Sequence, residues 1–137
     1  MIYESQKDRE RQAAAFKRIS VARQREIITP LPMSYWIDAF IVDDDSRVLA
    51  AAEYKYRNIN FGQYSDFEIA SLKTWSLDGW ADYYDVPGCL FIEFKCGTIY
   101  HTDVRGKKYA MKMGGNVTRD PEPMSRIPWT DFVTLKE

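Results

Sequence analysis

The chain has 137 residues, a length that suits one domain with a core of its own. A hydrophobic share of 45% and an aromatic share of 15% exclude a disordered chain, and no apolar run approaches the roughly 18 residues that a membrane-spanning helix needs. A net charge of −1 excludes a uniformly basic nucleic-acid binder.

The N-terminal stretch "MIYESQKDRERQ" is charged and lacks the apolar region of a signal peptide, so a cytoplasmic location is expected. Residues 4–26 contain neither Gly nor Pro, and Ala15, Phe16, Ile19 and Ala22 form an apolar stripe at helical spacing. This predicted helix carries seven basic residues between Lys7 and Arg25, namely Lys7, Arg9, Arg11, Lys17, Arg18, Arg23 and Arg25. Such a cluster serves either for local phosphate binding or as a solvated helix face. "TPLP" at 29–32 ends the helix and starts an extended segment.

Strands are expected at 34–42 and 47–57, with "DDDS" at 43–46 as their turn. "NINFGQYS" reads as a loop, and Ser65 or Asp66 as the N-cap of a second helix reaching residue 84. "CLFIEF" and "TIYHTDV" form a hairpin around "KCG". In the tail, "GKKYAMKM" suggests a strand, "GGNVTRDPEPMSRIP" a loop and "WTDFVTL" an edge element. A second basic group comprises Arg105, Lys107, Lys108 and Lys112. The order of elements implies an α/β fold layered on a mixed sheet. Cys89 and Cys96 lie outside any CxxC motif, and His101 is the single histidine, so reduced thiols are expected rather than a zinc site.

The charged residues inside the two central strands carry the chemistry. Glu53 and Lys55 are two apart and share a face. If the turn is residues 43–46, Val42 opposes Arg47 and Asp38 opposes Ala51. Glu53 is then a diagonal neighbour of Asp38, roughly 7 Å away at the backbone. Two carboxylates at that spacing can converge on a hard cation such as magnesium or manganese. An adjacent ammonium can stabilise a phosphoryl-transfer transition state. The competing reading is a surface Lys–carboxylate pair, worth about 0–1 kcal/mol. Phe61, Tyr64 and Phe67 follow the second strand and serve either base stacking or ordinary packing.

The pattern of a helix, Asp38, then Glu53-Tyr54-Lys55 on the next strand, then a helix and a strand, resembles the PD-(D/E)XK nuclease superfamily. The stretch "KTWSLDGWADYYDVPGCLFIEFKCGTIY" looks like its small phage-type members. The resemblance covers about residues 4–104, and Ile37 stands where a proline often precedes the aspartate. It implies a single-domain restriction-endonuclease-like core over residues 1–137, a mixed sheet flanked by two helices.

By the same resemblance Asp38, Glu53 and the main-chain carbonyl of Tyr54 would hold magnesium or manganese. Lys55 would be the catalytic lysine, Lys73 would correspond to a helical lysine of the site, and Glu10 would be its first-helix glutamate, although Glu4 and Glu26 lie closer to the apolar stripe of that helix. The activity implied is metal-dependent cleavage of DNA, in phage-type recombination, repair or processing, in a host cytoplasm. The alternative is a catalytically inactive nuclease fold that binds DNA or protein. No membrane partner is expected. A homodimer is one way for so small a chain to cut both strands of a duplex.

Overall fold

A computed structural model describes residues 5–116 and 120–137. Helix α1 (Gln6–Ala22) begins at a capping box. The Ser5 hydroxyl accepts from the Asp8 N–H at 3.0 Å, and the Asp8 carboxylate accepts from the Ser5 N–H at 3.2 Å. It stops short of the expected end because Gln24 and Arg25 both take left-handed φ values. Ala15, Phe16 and Ile19 are buried as their spacing predicts.

The extended segment that follows is strand β1 (Ile27–Pro30), antiparallel to β2 (Ala39–Val42). The strand expected to begin at residue 34 starts later, because Met33–Tyr35 form a 3-10 turn that ends on a left-handed Trp36. Strand β3 (Val48–Arg57) pairs antiparallel with β2.

Their register is not the expected one. The turn takes in Arg47, whose carbonyl accepts from the Asp43 N–H at 3.0 Å, so Val42 faces Val48. A bulge between Ile41 and Val42 then moves the pairing by one more residue, and Ile41 faces Ala50. Two displacements of one residue restore the original face, because side chains alternate with period two.

After β3 come β4 (Phe67–Ala70) and α2 (Ser71–Tyr84). Strand β5 (Gly88–Phe94) then lies parallel to β3 and forms the expected hairpin with β6 (Ile99–Asp103). Strand β9 (Val133–Thr134) closes the edge, giving a six-stranded mixed sheet of order β1-β2-β3-β5-β6-β9. Alternate residues of β2, β3 and β5 feed two cores. One holds Phe40, Ala51, Leu90 and Ile92 against Leu77 and Ala81 of α2. The other holds Ile41, Ala52, Tyr54 and Phe91 against Phe16 and Ile19 of α1. The expected mixed sheet flanked by two helices is therefore present, with the helices on opposite faces.

A second, three-stranded sheet corrects two expectations. Residues 67–70 were expected to open the second helix. They instead form β4, because Phe67 and Ile69 alternate into the core and the strand pairs with β8 (Asp120–Ile127). Ala70 caps α2 with no side-chain hydrogen bond, and Asp66 binds Arg126 at 2.8 Å rather than capping a helix. The expected loop over 114–128 is largely two strands, β8 and β7 (Ala110–Asn116), in the order β4-β8-β7. Pro121 and Pro123 are two apart, so their missing N–H groups fall on one edge of β8. Strand β4 covers β8 only from Met124 to Ile127, which leaves an unpaired edge where proline is tolerated. Residues 117–119 of that expected loop lie outside the described residues.

Among the described residues both cysteines are free, Cys89 buried and Cys96 exposed, and no helix is long and apolar enough to cross a membrane. Helix α2 meets β5 closely at Gly88. A Cβ there would lie 3.2 Å from the Ala81 Cβ and 3.3 Å from the Leu77 Cγ. Gly88→Ala is expected to destabilise the fold by about 1–3 kcal/mol, the usual range for overpacking. Urea unfolding of the two proteins would measure it.

Candidate active site

Strand β3 presents Glu53, Lys55 and Arg57 to the α2 face of the sheet, between apolar positions. Glu53 is 1% exposed. One of its carboxylate oxygens, Oε2, lies 3.4 Å from the Lys73 Nζ of α2, and the other, Oε1, is buried without a hydrogen-bond partner. Burial pushes the Glu53 pKa up to about 8, the negative charge of Asp38 adds to the rise, and Lys73 and Lys55 oppose it.

Asp38 sits just ahead of β2 and is held by its backbone and its side chain. Its N–H donates to the Ala52 carbonyl at 3.2 Å, its carbonyl accepts from the Leu31 N–H at 2.9 Å, and its Oδ2 accepts from the Tyr54 N–H at 2.8 Å. A strand residue's N–H and C=O leave on the same edge, so the Tyr54 carbonyl emerges on the side of Asp38. The Tyr54 side chain goes to the opposite face, where its hydroxyl donates to Glu93 Oε1 at 2.7 Å.

Asp38→Ala would strand the Tyr54 N–H, so it should cost about 1–3 kcal/mol. Asp38→Asn, which keeps an acceptor, should cost less. Thermal melts of the two variants would separate them.

Lys55 is partly buried. Desolvation lowers its pKa, the nearby Arg57 and Lys73 lower it further, and Glu53 and Asp38 act in the other direction. Five charged groups thus interact within one patch: Asp38, Glu53, Lys55, Arg57 and Lys73. Arg57 was passed over in the sequence, although its spacing from Glu53 and Lys55 puts it on their face. Its guanidinium lies 5.5 Å from the Phe67 ring centre, and burial lowers its pKa.

Carboxylate and main-chain carbonyl oxygens are the kind of ligand a hard cation takes. Among the described residues no three His, Cys, Asp or Glu side chains come together. A site here would therefore use two carboxylates and the Tyr54 carbonyl, with water and substrate completing the shell, as magnesium commonly does. The orphaned Glu53 Oε1 is the donor such an ion would satisfy.

Glu10 is not drawn into this cluster. It is exposed on α1, accepts from the Gln6 side chain at 3.2 Å, and belongs to the helix on the other face of the sheet. Several basic residues of α1 are engaged within the protein. The Arg11 guanidinium lies 3.8 Å from the Tyr56 ring centre, Arg18 forms a 2.7 Å pair with Glu137, and Arg23 one of 2.6 Å with Glu26.

Of the second basic group, Arg105 is held by Asp82 and Asp85, and Lys112 by Glu68. Lys107 and Lys108 are exposed and line a cavity of about 440 Å³ with Arg126 and Tyr109. None of the five clustered charges lines it. Phe61 stacks on Tyr100 at 4.0 Å, and Phe67 is fully buried, so both serve packing, while Tyr64 remains exposed.

No curated protein and no solved structure matches the sequence. Over residues 1–135 it matches the family described as "Phage putative PDDEXK endonuclease". A match over nearly the whole length joins a mixed sheet that sets Asp38 beside Glu53-Tyr54-Lys55, and the chain belongs to that phage PDDEXK family.

Proposed function

We propose that the protein is a divalent-metal-dependent nuclease that hydrolyses phosphodiester bonds in DNA, acting as one domain over residues 1–137 in phage-type recombination, repair or processing. The observation that carries this reading is the buried Glu53. A carboxylate with one oxygen unpaired, next to Asp38 and inside an apolar sheet, costs stability in the metal-free protein. Such an arrangement is retained where it serves a site.

Asp38, Glu53 and the Tyr54 carbonyl would hold magnesium or manganese. Bound there, the ion would act as a Lewis acid on a phosphate oxygen and lower the pKa of its water. The protein's own groups supply the rest. Lys73 holds Glu53 Oε2 and leaves Oε1 available. The Tyr54 N–H fixes Asp38 Oδ2 and so orients the second carboxylate. Lys55 lies within the electrostatic reach of both carboxylates, placed to position the attacking water and to stabilise charge growing on the phosphoryl oxygens. Arg57, beside it, offers a second cation to a substrate phosphate.

The test is a cleavage panel of linear, supercoiled, branched and single-stranded DNA with magnesium, manganese or chelator. Metal-dependent cutting of any member is expected. No cutting of any member at millimolar metal would refute the enzyme reading, and DNA binding in chelator would then favour a non-cutting module.

A further inference from the structure

An uncharged strip runs along the exposed side of α2, with Asp78 and Asp82 at its margin. At about 100° per residue, Leu72, Trp75, Ser76, Gly79 and Tyr83 fall on one side of the helix, opposite the buried Ser71, Thr74, Leu77 and Ala81. Trp75 and Tyr83 are 54% and 76% exposed.

Beside this side lies Trp36, whose backbone is left-handed at φ 63, a conformation uncommon for a bulky residue. Its indole is 58% exposed. Strain of this kind gathers at functional sites.

Between them is a groove of about 340 Å³, lined by Tyr35, Trp36, Ser76, Gly79, Trp80 and Tyr83. Its wall is preformed. Tyr35 and Trp80 stack at 5.3 Å and 29°, and the Trp80 indole N–H donates to the Tyr35 carbonyl at 2.7 Å. At Gly79 nothing lies within 4 Å of where a Cβ would be, so the floor is open.

The chain links the groove to the charged patch at two points. Trp36 is two residues from Asp38, and Ser76 and Trp80 lie on the helical face that carries Lys73.

We propose that this groove takes an unstacked nucleobase, so that the preferred substrate carries a single-stranded segment next to the phosphodiester that is cut. The inference rests on the nuclease reading and names its substrate class. Four aromatic side chains and no charge suit a planar, neutral π-face, and stacking of this kind is tolerant of sequence. The volume is at the small end of ligand pockets, roughly 300–1,000 Å³, which suits one ring system rather than a helix. Bases inside a blunt duplex are already stacked and must be extruded before they can enter, which favours single strands, frayed ends and flaps.

The experiment measures binding in chelator of a single-stranded oligonucleotide carrying a fluorescent adenine analogue, and of a blunt duplex of the same sequence, across a salt series. The parent should quench the analogue in the single strand. Trp36→Ala and Tyr83→Ala should each weaken single-strand binding about ten- to a hundredfold. Trp36→Phe should restore much of the Trp36 loss. The slope against salt should not change, because no phosphate contact is removed.

If the parent cuts or binds DNA and both alanine variants bind the single strand as it does, the groove is not a base site and the nuclease reading survives. If the parent neither binds nor cuts DNA, both readings fail. If sedimentation shows a parent dimer that Trp36→Ala dissociates, the groove is a protein interface and the proposal is overturned.

Discussion

Glu53→Gln and Asp38→Asn are each expected to reduce metal-dependent cleavage to background, while Lys55→Ala should leave metal binding intact and slow turnover roughly 100-fold or more. The difference follows from what each side chain does. Among the described residues the two carboxylates are the anionic side chains of this cluster, and magnesium would be held weakly even with both. Amide replacements keep shape and, at Asp38, the acceptor for the Tyr54 N–H, so the loss would not be one of folding. In the proposed mechanism Lys55 would stabilise the transition state, and removal of one such stabiliser costs about 10²–10³ in turnover. Lys73 lies 3.4 Å from Glu53 Oε2 and would act through that carboxylate. Lys73→Ala should raise the metal requirement about 10–100-fold, the usual cost of losing an outer-sphere partner. Calorimetric manganese titration together with cleavage rates separates these cases. Parent-like cutting by the Asp38 and Glu53 variants would remove both from the site.

The metal-free protein should lose stability as pH rises from 6 to 8.5, and Glu53→Gln should abolish much of that loss. Folded, Glu53 holds its proton up to about pH 8, whereas in the unfolded chain it releases it near 4.5. Between those values the native state binds the extra proton, so stability falls with increasing pH, by up to about 3 kcal/mol over two pH units. Below about 4.5 the group adds no slope, and above 8 the penalty is complete. At pH 8 the glutamine variant should therefore be the more stable protein. Magnesium should raise the parent's melting temperature at pH 8 and leave the variant's unchanged, because only the ionised carboxylate rewards the cation. Calorimetric melts over the pH range, with and without magnesium, test both statements. A parent flat in pH would show that Glu53 titrates as an ordinary carboxylate.

What the sequence made legible was the part governed by short-range alternation. Period-two spacing put Glu53 and Lys55 on one face, and the hairpin of β5 and β6 followed from two apolar runs around a glycine turn. Lys73 followed from the family resemblance alone, and the fold brings it to Glu53. Other parts depended on partners distant in sequence. Strand β4 runs into α2 with no Gly, Pro or capping side chain between them, so only its pairing with β8 marks it as a strand. Strand β8 carries two prolines that ordinarily mark a loop. The fit of Asp38 to the Tyr54 N–H required the register, and the register depended on a bulge that no residue pattern announces.

That bulge also limits how this hairpin can change length. Strand β3 is fixed by its parallel pairing with β5, so a residue gained or lost between Asp43 and Arg47 that the turn does not take up itself must be absorbed by β2. A single insertion or deletion would turn Phe40 out of its core and swing Asp38 toward the α1 face, unless the bulge appeared or vanished to compensate. Where the strand register moves with the turn, homologues should show even-numbered shifts, or odd ones coupled to loss of the bulge. The acidic turn would then drift in composition far more freely than in length.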